Sequence, residues 1–146
     1  MLTTTKRLLM RCIATLCVAT VFLVRAEDAD ASIVTQLAKI VAGDGAKDDT
    51  FGNHVAISDG IAIVGSWGDD DKGTTSGSVY VFEMSSPNDA SSWTQVAKLT
   101  AADGASQDMF GYQLAIGDGT IVVAAHGDDD KGSSSGSAYV FEMSSP

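Results

Sequence analysis

Residues 35–87 and 94–146 are one unit written twice. The offset is 59 residues without a gap, and 33 of 53 aligned positions carry the same residue. A unit that recurs this closely folds the same way twice. One short unit cannot bury its apolar face alone, so the copies must pack on neighbours. The period predicts about four strands per unit.

The pattern inside each unit is β throughout. HVAIS at 54–58 and IAIVG at 61–65 flank Asp59-Gly60, and an Asp-Gly pair between β-branched runs predicts a hairpin with a type I′ turn. A polar, glycine-rich loop, WGDDDKGTTSG, follows at 67–77. Then comes SVYVFE at 78–83, which places Val79, Val81 and Glu83 on one face and Tyr80 and Phe82 on the other. A linker at 85–92 leads to WTQVAKLT, a fourth strand. The second unit supplies YQLAI, TIVVAA, the loop HGDDDKGSSSG and SAYVFE, and residues 33–41 read as one lone outer strand. No stretch beyond the N-terminal segment repeats apolar residues at helical spacing.

That segment, 1–26, reads as a secretory signal. Lys6, Arg7 and Arg11 precede a thirteen-residue apolar run, 12–24, which is short against the roughly 20 residues of a membrane span. Cleavage after Ala26 is expected, with an uncut anchor as the alternative. It removes both cysteines, Cys12 and Cys17, so the mature chain holds no disulfide. It also removes four of nine basic residues and no acidic one, taking the charge from −10 to −14. Such acidity excludes a phosphate-tracking nucleic-acid binder. Of the 19 acidic residues, 16 are aspartate, which favours turns and hard-cation sites over helix surfaces.

Four short antiparallel strands per repeat describe a β-propeller blade, so the expected class is all-β with two four-stranded antiparallel units. The expected divisions are the signal, an acidic lead-in with an outer strand at 27–50, a first blade at 51–109 and a second, incomplete blade at 110–146. The missing fourth strand of the second blade is either absent or supplied by 33–41. Two blades are fewer than the about four to eight that close a ring, which predicts a longer array or an assembly of copies. The first repeat continues past its 84–87 into a fourth strand, and this favours a longer chain.

Phe51-Gly52, VGSWG at 64–68 and GSVYVF at 77–82 resemble FG-GAP repeats, the blades of the integrin alpha-chain propeller. Phe110-Gly111, VAAHG at 123–127 and GSAYVF at 136–141 match in the second unit. The sequence departs from the pattern where Ser66-Trp67 and Ala125-His126 replace Ala-Pro. The resemblance implies an extracellular, seven-bladed propeller that mediates adhesion or ligand binding, often with calcium in loops between strands. It is closest to an acidic-loop variant found in secreted repeat proteins.

The candidate chemistry lies in the two Asp loops, 69–73 and 128–132. Calcium takes about six to eight oxygens from carboxylates, carbonyls and water, so acidic glycine-rich loops suit it. Alternate carboxylates, Asp69 with Asp71 and Asp128 with Asp130, are the expected metal ligands. Yet Gly73 and Gly132 stand where a third would be, so a solvated acidic turn is the competing reading. A second acidic group, Asp44, Asp48 and Asp49 with Asp103 and Asp108, contributes only if the fold brings it near.

Other motifs are weaker. Residues 132–136 match G-x-S-x-G, but a strand follows where a nucleophile elbow requires a helix. His54 and His126 occupy non-equivalent repeat positions, and neither Asn53 nor Asn88 begins a glycosylation sequon. Phe51/Phe110, Tyr80/Tyr139 and Phe82/Phe141 recur in register and read as packing between units. Trp67 and His126 differ at one repeat position and are candidates for a variable binding surface. Three function classes follow: a secreted or surface binding and adhesion module, a propeller segment of a larger secreted enzyme, and a structural extracellular array. Expected partners are an extracellular protein or glycan ligand and further blades, in a longer chain or by self-association. Neither nucleic acid nor, after cleavage, a membrane is an expected partner.

Overall fold

The computed structural model describes residues 35–86, 89 and 91–143. The expected signal, the lead-in up to residue 34, and Pro87, Asn88 and Ala90 of the linker lie outside them. The described chain is all-β and forms two antiparallel sheets. The first orders β1 (Val55–Ser58), β2 (Ile61–Ser66), β3 (Ser78–Met84) and β4 (Trp93–Leu99) as a four-stranded meander. The second orders β5 (Phe110–Gly117), β6 (Thr120–Ala125) and β7 (Ser137–Glu142) in the same way. No helix among the described residues is long and apolar enough to cross a membrane.

Both Asp-Gly hairpins form as their chemistry requires. Asp59 and Gly60 take φ of 49° and 77°, and Asp118 and Gly119 take 48° and 73°. Positive φ at both central positions matches the strand twist, and aspartate is one of the few side chains that tolerates it. The turns set the register: Ser58 opposes Ile61, and Gly117 opposes Thr120.

Alternation along β3 sends its side chains to two different cores. Val79 and Val81 join Ile63 on one face, while Tyr80 and Phe82 join Val64 on the other. The first face packs directly on the second sheet, where Phe110, Leu114, Ile121, Val123 and Ala125 complete one continuous core. Burying a side chain the size of Phe110 in this layer contributes about 1.5–3 kcal/mol. The backbones join as well. Gln107, Met109 and Phe110 donate their amides to Thr74, Thr75 and Ser76 at 2.8, 3.1 and 2.9 Å. Gly77, with φ of 84°, lies so close to the Phe110 backbone that any Cβ there would clash. The first sheet's Asp loop is thereby tied to the entry of the second unit.

One expected strand does not form. Within 33–41, the described residues 35–41 are in no strand and pair with no neighbour. Nor do they complete the second sheet, whose outer strand β7 has no strand on its far edge among the described residues. Ile40 and Ala42 instead pack against Val64, Tyr80 and Phe82 of the first sheet, and Gly43 donates to Gln95 Oε1 at 2.9 Å. The segment repeats the T-Q-x-A-K sequence of β4, but a strand exists only as half of a ladder.

Candidate functional site

The loop after β2 folds back on itself through its own aspartates. Asp69 Oδ1 accepts the Asp71 amide at 3.1 Å, and Asp70 Oδ1 accepts the Thr75 amide at 2.7 Å. These local bonds, typical of aspartate in turns, orient the remaining carboxylate oxygens. In the second unit Asp128 Oδ1 accepts the Asp130 amide at 3.0 Å in the same way.

Three carboxylates then converge on one lysine. Lys98 Nζ, from β4, lies 2.8 Å from Asp44 Oδ2, 3.0 Å from Asp69 Oδ2 and 2.6 Å from Asp71 Oδ2. The register of β3 with β4 sets Tyr80 opposite Lys98. The Tyr80 hydroxyl accordingly reaches Asp44 at 2.8 Å and Asp69 at 2.9 Å, and the ammonium lies 5.1 Å from its ring centre. A hydroxyl has one hydrogen, so Tyr80 donates to one carboxylate at a time, and Lys98 compensates both.

Hydrogen bonds from Lys98 and Tyr80 hold the Asp44 carboxyl below its usual range. Burial by itself would raise Asp69, but the bonds from Lys98, Tyr80 and the Asp71 amide outweigh it and the net shift is downward. Tyr80 is pushed up by burial and by the acceptors Asp44 and Asp69. For Lys98, burial favours the neutral amine, yet the three aspartates prevail and raise its pKa.

The second cluster has the same carboxylates and no ammonium. Tyr139 donates toward Asp103 at 3.0 Å and Asp128 at 2.9 Å. None of the ion pairs among the described residues involves Asp103, Asp128 or Asp130. The Asp130 amide, then the Tyr139 hydroxyl, hold Asp128 below its usual range.

The four aspartates expected as metal ligands are therefore split. Asp69 and Asp71 meet at Lys98, joined by Asp44 from the preceding segment. Asp128 meets Asp103, and Asp130 contributes its amide. Asp49 and Asp108 serve turns instead, accepting the amides of Ala46 and Ala105 at 2.6 and 2.7 Å. Among the described residues no group of three or more histidine, cysteine or acidic residues is arranged to hold a metal ion. In the first cluster the position of a cation is taken by Lys98. Sequence reasoning singled out the loops and missed this lysine, although Lys39/Lys98 recurs at the repeat offset as faithfully as Tyr80/Tyr139.

A family model described as the FG-GAP repeat matches residues 34–82 and again 93–141. The chain belongs to the FG-GAP repeat family. No curated protein and no solved structure matches it significantly. Each FG-GAP match includes a T-Q-x-A-K segment, which lies in β4 in the second match and is unpaired among the described residues in the first. Each then runs through the acidic loop to the third strand of a sheet, so it contains its own lysine, aspartates and tyrosine.

The remaining candidates occupy distinct places in the FG-GAP units. Trp67, Tyr112 and His126 form a row, with ring centres 6.3 Å and 4.8 Å apart. The sequence singled out Trp67 and His126. Tyr112, which replaces Asn53 at its repeat position, joins them. His54 is half-buried elsewhere, with no hydrogen-bond partner at Nδ1 among the described residues. Ser134, in the G-x-S-x-G stretch, takes φ of 50°, but so does its counterpart Thr75 at 59°, and β7 rather than a helix follows. The stretch is a turn of the repeat, not a nucleophile elbow. As an FG-GAP repeat module the chain is non-catalytic.

Proposed function

We propose that this chain is a secreted or cell-surface binding and adhesion module, its two sheets acting as propeller blades. The observation that carries the reading is the Trp67–Tyr112–His126 row. It spans the two units at positions where the repeats differ, and Tyr112 is 39% exposed. Invariant positions build the repeat, whereas variable aromatic positions on a rigid scaffold are free to meet a ligand, and aromatic rings supply much contact area for little ordering entropy. The ligand class is an extracellular protein or a glycan. A propeller segment of a larger secreted enzyme and a structural extracellular array are the other readings of the same fold.

The test is a screen of glycans and extracellular protein fragments, followed by Trp67→Ala and Tyr112→Ala. Loss of at least tenfold in affinity with an unchanged melting temperature supports the proposal. Binding that neither substitution alters refutes it. Secretion is tested by mass spectrometry of the recovered N-terminus, and a retained Met1 refutes cleavage.

Calcium at Asp69, Asp71, Asp128 and Asp130 is the family's alternative use of the loops. At Asp69 and Asp71 it would have to displace the Lys98 ammonium. The melting temperature of the first unit is therefore expected to stay unchanged with millimolar calcium or chelator, and a rise of several degrees would favour the metal.

A further inference from the structure

The described chain carries half an interface at each end. Val55 and Ile57, on one outer face, are 63% and 66% exposed, whereas Leu114, the repeat counterpart of Val55, is 8% exposed and Ile116, that of Ile57, is half-buried against the shared core. Val122 and Val140, on the opposite outer face, are 38% and 69% exposed, although their counterparts Ile63 and Val81 are buried between the sheets. The two open faces are thus the two sides of the packing already seen between the units.

Polar groups show the same division. The segment 35–41 repeats the sequence of β4, T-Q-x-A-K, but pairs with no strand among the described residues. Its Lys39 is exposed and in no ion pair among the described residues, whereas Lys98 is held by three aspartates. Conversely, among the described residues no strand pairs with the far edge of β7, and beside it Asp103 and Asp128 share one Tyr139 hydrogen with no ammonium. The first cluster shows what these residues hold: a lysine from a fourth strand, set opposite the tyrosine.

We propose that 35–41 of one copy adds to the β7 edge of a second copy, placing Lys39 opposite Tyr139 among Asp103, Asp128 and Asp130. The β3–β4 register, carried over by the repeat offset, sets Ala38 opposite Val140 and Gln36 opposite Phe141. Val55 and Ile57 of the first copy then cover Val122 and Val140 of the second. Main-chain pairing supplies affinity, and the buried charge pair fixes the register. The contact is head-to-tail, so it closes a ring if the rotation per copy allows and extends an open array if not.

The experiment is sedimentation equilibrium of the purified full chain from micromolar to several hundred micromolar. A closed propeller of about four to eight blades predicts a discrete mass of two to four copies. Lys39→Asp is expected to weaken assembly at least tenfold, Asp103→Lys likewise, and the double reversal to restore it. Mixing Ala38→Cys with Val140→Cys protein under mild oxidant should give a crosslinked heterodimer. A concentration-dependent open series with the same charge response supports the pairing and counts only against the propeller reading. A single-copy mass throughout, or an assembly indifferent to Lys39→Asp, overturns the proposal. So does a single-copy chain that takes up a peptide of sequence 93–100, because the edge then serves another repeat-bearing chain.

Discussion

Replacing Lys98 by methionine isolates the electrostatic part of the first cluster, because methionine keeps an unbranched apolar stem against Tyr80 and removes the charge. The three ion pairs do not weigh equally. The Asp69 side chain is only 5% exposed, so loss of its counterion leaves a buried carboxylate, a change of about 3–5 kcal/mol when no other partner remains. Here the Tyr80 hydroxyl and the Asp71 amide stay in place, which lowers the cost to roughly 2–3 kcal/mol. Asp44 and Asp71 are 53% and 48% exposed and hold their charges largely in water, adding about 0.5 kcal/mol each at most. The expected loss is about 2–4 kcal/mol, a large share of the roughly 5–15 kcal/mol of a whole domain.

Urea unfolding followed by tryptophan fluorescence suits the measurement, since Trp93 begins β4 itself. Lys39→Met is the matched control. It removes a lysine from the same local sequence, but an exposed one with no ion pair among the described residues, so at concentrations where the chain is single it should cost under about 0.5 kcal/mol. The Lys98→Met deficit should also shrink below about pH 4. Asp44 and Asp69 have depressed pKa values in the folded wild type. The stability they contribute is complete above the ordinary carboxylate value and is lost as pH falls through the folded one. A Lys98→Met loss under 1 kcal/mol, or equal losses for the two lysines, would show that the carboxylates do not depend on this ammonium.

Three further outcomes follow from the same geometry. Tyr80→Phe should cost about 1.5–3 kcal/mol, the range for hydrogen bonds to charged groups, and Tyr139→Phe less, because Tyr139 is only half-buried and water can replace it; chemical denaturation of both variants checks the order. At high pH the sign reverses relative to acid: Lys98 and Tyr80 both have raised pKa values, so their contribution is complete below about pH 10 and declines as pH rises beyond it, which urea midpoints from pH 9 to 11 would show. Phe110→Ala should cost about 3–5 kcal/mol, since Phe110 is fully buried against Tyr139 and Phe141, with centroids 5.4 and 6.0 Å away; a calorimetric loss near that of half-buried Phe51→Ala would contradict the shared core.

The strands were legible because their determinants are local. Asp59-Gly60 and Asp118-Gly119 specify hairpins within four residues, and Val79/Tyr80/Val81/Phe82 announce a two-faced strand by alternation alone. The segment 35–41 repeats the T-Q-x-A-K of β4 and forms no strand, because its partner is not a local property. The site was half legible for the same reason. The Asp loops stand out as tripeptides. The groups that complete the first one come from 25 positions before Asp69 and 29 positions after it, namely Asp44 and Lys98. What joins them is strand register. Only the repeat offset, which preserves Asp44/Asp103, Lys39/Lys98 and Tyr80/Tyr139 together, hints at the set in one dimension.

The lysine changes what the acidic loop depends on. A calcium ion in such a loop comes from solution, so stability follows the free metal concentration. An ammonium on the fourth strand arrives only when that strand is paired. The first cluster is therefore a latch between β4 and the loop after β2, closed by folding rather than by a solute. Its strength is conditional on the adjacent strand, which is how a repeat distinguishes an occupied edge from an open one. In the second cluster Tyr139 has two carboxylates and one hydrogen. The electrostatic cost of leaving it so is the driving force that favours any strand bringing a lysine opposite Tyr139 over one that brings a neutral residue.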